Sequence, residues 1–169
     1  MYTISTTIEI AASPTTVREK FLDFPSIPKY TPIGFVRAIT PADPTKPPAS
    51  LIPGDNLNCV MGYGKMKFSP VVVENSPAGF GWRGSVPGLF TGVHMFRFEA
   101  VSDASTGAVR GGEEEGGRTK LIHEENFTGL LAGVMGEGYL AGMLGMRESS
   151  RKGFDGFNED FKAWVEQAK

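Results

Sequence analysis

The chain holds two histidines, His94 and His123, and each lies in an alternating stretch beside apolar and acidic residues. In Gly92-Val93-His94-Met95-Phe96-Arg97-Phe98 a period of two puts His94, Phe96 and Phe98 on one face of a strand. The same period in Thr119–Phe127 groups Leu121, His123, Glu125 and Phe127. The phenylalanines mark both faces as inward, and a hairpin joining the strands brings His94 beside Glu125. An imidazole next to a carboxylate can exchange a proton with a carbonyl, enol or hydroxyl, and proton abstraction next to a carbonyl is what aldol-type ring closure and dehydration require. A hydrogen-bonded pair that only satisfies the core is the plainer alternative.

His94, His123 and Glu125 together also have the ligand types of a facial iron site. Nothing in the sequence supplies the outer residues that would orient such ligands, so no metal or other cofactor is expected. The lone Cys59 alternates with Leu57 and Met61 and reads as a small apolar strand residue. Gly136-x-Gly138-x-x-Ala141 fits a loose dinucleotide fingerprint but lacks the preceding strand and crossover that would make it one. The apolar residues expected around the histidines are Trp82, Phe90, Met95, Phe96, Leu130, Met135, Tyr139 and the inner edge of the last helix, including Phe157. Tyr30 and Tyr63 are expected to add hydroxyls near an entrance. Together these describe a cavity for an apolar or aromatic molecule with few polar handles.

Several elements must position these groups. Tyr2, Ile4, Thr6, Ile8 and Ile10 share one face of a first strand. Ser13-Pro14 is a cap followed by proline at the first helical position, and Val17, Phe21 and Phe24 continue a short amphipathic helix. Ile27–Tyr30 adds a turn. Strands are expected over 34–40, 55–61, 68–74, 79–84, 92–101 and 119–127, with a proline-rich exposed loop over 41–53. The segment 111–117, with three adjacent glutamates among glycines, reads as a solvated hairpin loop. Phe154, Phe157, Phe161, Trp164 and Ala168 step by three and four along a C-terminal helix whose aromatic stripe faces the sheet. Gly153 and Gly156 interrupt that helix, and the expected return is space beside the sheet or a ligand. Gly129–Gly145, rich in small residues, reads as a lid. Strands joined by short turns, with helices at the two ends of the run, indicate an α+β arrangement of one sheet around one long helix.

At 169 residues the chain is expected to form a single domain over 1–169, large enough for a core and a cavity. Lys plus Arg number 17 against 19 for Asp plus Glu, so no basic excess points to nucleic acid. One cysteine excludes an internal disulfide framework. Met1–Ser5 shows no basic region leading into an apolar stretch, so a cytoplasmic location is expected. Gly129–Met146 carries Glu137 and six glycines and reads as a poor membrane span, leaving membrane contact as a minor alternative. The oligomeric state is not legible.

The strands Gly92–Phe98 and Thr119–Gly129, the helix opening Gly153–Lys162 and the Ser13-Pro14-x-x-Val17 start resemble, in order along nearly the whole chain, the START-like (SRPBCC) superfamily, most of all its polyketide cyclase/dehydrase branch. Arg18 stands where that family commonly has tryptophan, and the 41–53 loop is longer than its pattern. The resemblance implies a helix-grip (START/Bet v 1-like) fold, in which a curved antiparallel sheet holds the C-terminal helix over an apolar cavity. It does not imply one reaction, since the superfamily includes lipid carriers, hormone-binding proteins, aromatases and cyclases. Two readings therefore stand side by side. One is a binding protein for a lipid, polyketide or aromatic metabolite. The other is a cofactor-independent cyclase or dehydratase using His94 and Glu125.

Overall fold

The computed structural model describes residues 2–86, 90–101, 117–128 and 141–167, with the main chain alone for Val86, Phe90 and residues 141–147. Strand β1 (Tyr2–Ile10) leads to α1 (Pro14–Leu22), where the Ser13 hydroxyl accepts the Thr16 N–H at 3.2 Å and Pro14 opens the first turn. A 3-10 turn at Phe24–Ser26 and the short α2 (Ile27–Tyr30) follow. Then come β2 (Val36–Pro41), β3 (Leu57–Met61), β4 (Met66–Phe68), β5 (Val71–Ser76), β6 (Gly79–Val86), β7 (Phe90–Ala100), β8 (Thr119–Thr128) and α3 (Ala141–Gln167).

The strands form two antiparallel sheets rather than the single sheet expected. One has the order β1-β8-β7-β6-β5 and the other β2-β3-β4. The break falls at Ser69-Pro70, inside the segment expected to be one strand. Proline has no N–H to offer a ladder; Pro70 contributes its carbonyl instead, which accepts the Leu57 N–H at 2.9 Å. A bridge between Asn56 and Val71 keeps the two sheets in touch.

Helix α3 is 27 residues long, about 40 Å at 1.5 Å per residue. It buries Phe154, Phe157, Phe161 and Val165 against the concave side of the larger sheet, and Asn158 lies buried among them. The apolar stripe thus runs through Val165. Trp164 is half-buried, stacks on Tyr30 at 4.9 Å and lies under the Lys20 ammonium. Ala168 falls outside the described residues.

The two helical glycines differ. A Cβ on Gly153 would come within 2.4 Å of the Phe35 ring and 2.8 Å of the Phe35 Cβ, so the space it leaves is filled by Phe35. A Cβ on Gly156 meets nothing within 4 Å. Gly156→Ala should therefore stabilise by roughly 0.5–1 kcal/mol through helix propensity. Gly153→Ala should instead lose about 1–3 kcal/mol to overpacking, since Phe35 cannot withdraw by rotating a flexible tip. Urea midpoints check this; shifts of the same sign in both variants would contradict the packing.

The two departures from the START-like pattern meet at one residue. Arg18 donates through Nε to the Ser76 carbonyl (2.7 Å) and through Nη2 to Asn75 Oδ1 (2.6 Å). Asn75 Nδ2 in turn donates to the carbonyls of Leu51 (2.8 Å) and Pro48 (3.2 Å). The arginine side chain and the long proline loop are thereby tied to the end of β5, through a part-buried guanidinium that donates two hydrogen bonds there.

Candidate functional site

Residues opposed in antiparallel strands project to the same face, and the register sets two rows across the concave sheet. Thr6, His123, Phe96 and Phe80 form one, and Ile4, Glu125, His94 and Trp82 form the next. The two histidines sit diagonally in adjacent rows. Their Nε2 atoms are 2.7 Å apart, and both rings are buried. Trp82 stacks on His94 almost parallel (4.6 Å, 4°), and Phe154 stacks on His123 from the helix side (4.0 Å, 15°). Phe96 and Phe157 close the sides of His123 at 4.2 and 5.7 Å.

Polar partners come from two further elements. His123 Nδ1 lies 3.0 Å from Asn158 Oδ1, and Asn158 Nδ2 donates to Thr6 Oγ1 at 2.9 Å. At the other end, His94 Nδ1 faces Glu125 Oε2 at 3.5 Å, beyond good hydrogen-bond geometry. It is a buried polar atom without a hydrogen-bond partner among the described residues. Glu125 keeps 22% of its side chain exposed while His94 keeps 1%, so the carboxylate marks the wet end of the network. Gly92 makes room for it: a Cβ there would lie 2.9 Å from Glu125 Oε1.

Burial first, and then the neighbouring His94, hold the His123 pKa well below the ordinary histidine value, against the pull of hydrogen bonds to Asn158 and to the Phe154 main chain. The unfolded chain therefore takes up a proton on His123 that the folded chain refuses. The stability this confers is whole above about pH 6.5 and falls as the pH drops below it, by up to about 1.4 kcal/mol per unit. Urea unfolding from about pH 8 to pH 5 should show a shallower acid loss in His123→Phe than in the wild type. Equal slopes would contradict the assignment of a buried neutral imidazole.

The expected pocket residues divide. Trp82, Phe96 and His123 share the concave face with His94 and Glu125, and Phe157 packs onto Phe96 and His123 from α3, all with buried rings. Met95 projects to the opposite face, where it covers Gly81, as its place between His94 and Phe96 requires. Tyr30 packs under α3 against Phe157, Phe161 and Trp164. Its hydroxyl is buried without a hydrogen-bond partner among the described residues, and burial, then Asp23 and Asp160, push its pKa up. Tyr63 sits at φ 59° in the β3–β4 turn, 44% exposed, where it lines an open depression of about 600 Å³ with Pro28, Pro32 and Arg37. Phe90 lies on β7 beside Thr91, and Leu130, Met135 and Tyr139 fall outside the described residues. Of the lid segment, residues 129–140 also fall outside, whereas 141–145 belong to the first turns of α3.

Cys59 is buried, and desolvation pushes its thiol up to about 12, which leaves it a packed apolar residue rather than a nucleophile. Among the described residues no group of three His, Cys, Asp or Glu is placed to hold a metal ion. Among them, too, no helix is long and apolar enough to cross a membrane.

Asn158 and Thr6 were not singled out from the sequence as functional residues. The signal was present: Asn158 falls four residues after Phe154 and three before Phe161, a polar residue in a core position of the helix. Thr6 interrupts the isoleucines of β1 in the same way.

Comparison with solved structures defines the class of the fold. A START superfamily protein from Mycobacterium smegmatis superposes with a TM-score of 0.60 at 15% identity, covering all of both chains. The Zhui aromatase/cyclase from Streptomyces sp. R1128 superposes at 0.57 with 14% identity, over 98% of this chain and 94% of that one. Ara h 8.0201 gives 0.58 at 11% identity over 98% of each chain. Searches against protein-family models and against curated proteins return no match. The chain has the START-like, Bet v 1-like helix-grip fold, an α+β architecture of curved antiparallel sheet and C-terminal helix.

Proposed function

We propose that this protein binds a hydrophobic small molecule, a lipid, polyketide or aromatic metabolite, at the end of the concave face where His94 meets Glu125. One observation carries the reading: His94 Nδ1 is buried and unpartnered among the described residues, at the mouth of an otherwise satisfied network. Leaving such an atom unpaired costs about 1–3 kcal/mol, which a ligand's polar group recovers on binding. The proposed ligand position lies beyond His94, over Gly92 and Glu125, a reading supported by the rings packed around His123 between sheet and helix. Phe90, Leu130, Met135 and Tyr139 are its proposed apolar contacts, with Tyr30 and Tyr63 as outlying hydroxyls. The fold supports the reading, since solved proteins of this architecture include a START superfamily protein and an aromatase/cyclase. The chain is proposed to act in the cytoplasm, on a small molecule rather than nucleic acid or membrane.

The second reading, a polyketide cyclase or dehydratase, is favoured by the 3.5 Å approach of His94 Nδ1 to Glu125 Oε2. That spacing suits a proton passed between the two and a substrate oxygen.

Native mass spectrometry of the protein as purified, and after incubation with palmitate or 2-naphthol, tests the proposal. Binding predicts an added mass that is lost on denaturation. The bare chain mass under all three conditions would overturn it.

A further inference from the structure

The hydrogen bonds along the buried row have a direction, and that direction fixes which nitrogen of His94 can meet a ligand. A side-chain amide oxygen can only accept. Asn158 Oδ1, 3.0 Å from His123 Nδ1, therefore requires a proton on that nitrogen, while Asn158 Nδ2 is spent on Thr6 Oγ1. A neutral imidazole protonated at Nδ1 carries its lone pair on Nε2. At 2.7 Å from that lone pair, His94 Nε2 must be the donor. This leaves Nδ1 as the one ring nitrogen of His94 free to exchange a proton, on the side of Glu125.

We propose that Asn158, anchored by Thr6 and acting through His123, is a positioning residue that fixes His94 as its Nε2–H tautomer, so that a bound molecule exchanges protons with His94 at Nδ1 alone. The functional consequence rests on the ligand reading given above; the tautomer itself does not. A hydroxyl that gives its proton to Nδ1 becomes an oxyanion. The imidazolium left behind still points Nε2–H at His123 and faces Glu125 with the new Nδ1–H. The reverse transfer delivers the proton from Nδ1 to a developing oxyanion and restores the starting state.

Long-range proton–nitrogen NMR of the full, ligand-free chain with labelled histidine, at about pH 8, reads the tautomers directly. The expected spectrum shows pyrrole-like Nδ1 and pyridine-like Nε2 for His123, and pyrrole-like Nε2 for His94. The preference should be about two- to tenfold, the bias of one ordinary hydrogen bond. Asn158→Leu should collapse it toward a mixture, and Asn158→Ser should do the same should the leucine variant fail to fold. Asn158→Asp, whose carboxylate still accepts from Nδ1–H, should restore it. A pyridine-like Nε2 on His94 in the wild type would overturn the proposal, as would a pattern unchanged in both the leucine and serine variants. Because no ligand is present, failure of this test leaves the binding proposal standing, and failure of binding leaves the relay standing.

Discussion

Replacing Phe157 with alanine is expected to lower the free energy of unfolding by about 3–5 kcal/mol, the range for truncating a fully buried phenylalanine. The ring has no exposed surface and is bordered by Tyr30, Phe96, His123 and Phe161 at centroid separations of 5.7–6.2 Å. It is the wedge at which α2, the sheet and α3 meet, and none of the surrounding rings can collapse into its place without leaving its own partners. Against a total stability of about 5–15 kcal/mol for a domain, the loss is a large fraction. Urea denaturation measures it. A loss below about 1 kcal/mol would mean that the helix is not gripped as described.

The second large effect is expected at the mouth of the network. Glu125→Gln removes the carboxylate from a partly buried site without emptying the core, and should weaken ligand binding about 10- to 100-fold, the worth of a hydrogen bond to a charged group. His94→Ala should abolish binding in the same assay. It should also cost about 1–3 kcal/mol of stability, because it leaves His123 Nε2 buried without a partner. If the protein is an enzyme, both changes should reduce turnover by about 10²–10⁴-fold. Unchanged binding and turnover in both variants would remove His94 and Glu125 from the site.

How much of this was legible depended on the range of the interaction. The pairing of His94 with Glu125 follows from a period of two on two strands joined as a hairpin, and the register places them opposite one another. The helix stripe through Phe154, Phe157 and Phe161 was equally local. The split into two sheets was not, although β4 only folds back on its neighbour β3: the stretch read as one strand breaks at Ser69-Pro70, and which sheet takes each half is settled by the folded chain. Gly153 showed the same limit: the periodicity indicated that space was needed there, but the occupant, Phe35, lies more than a hundred residues away in sequence. Asn158 was visible as a polar residue among phenylalanines, yet its partners Thr6 and His123 come from the first and last strands. A buried polar side chain in an apolar stripe asks for a partner, and only the folded chain shows that two are present.

The surface-facing side of the larger sheet carries charge pairs, Arg97 with Glu124 at 3.2 Å and Lys120 with Glu99 at 3.9 Å. Exposed pairs of this kind contribute little to stability, so the concave face is where the sequence concentrates its constraints. Substitution of these pairs is not expected to move ligand affinity.

Titration with 2-naphthol, followed by Trp82 emission in a Trp164→Phe background, tests most directly whether the His94 end of the sheet is a binding site. Trp82 lies flat on the imidazole, and the Trp164→Phe change leaves it as the chain's one indole. A saturable, single-site change in its emission, weakened at least about tenfold by Glu125→Gln, is the expected result. Emission that changes only in proportion to added 2-naphthol, alike in wild-type and Glu125→Gln backgrounds, would contradict it.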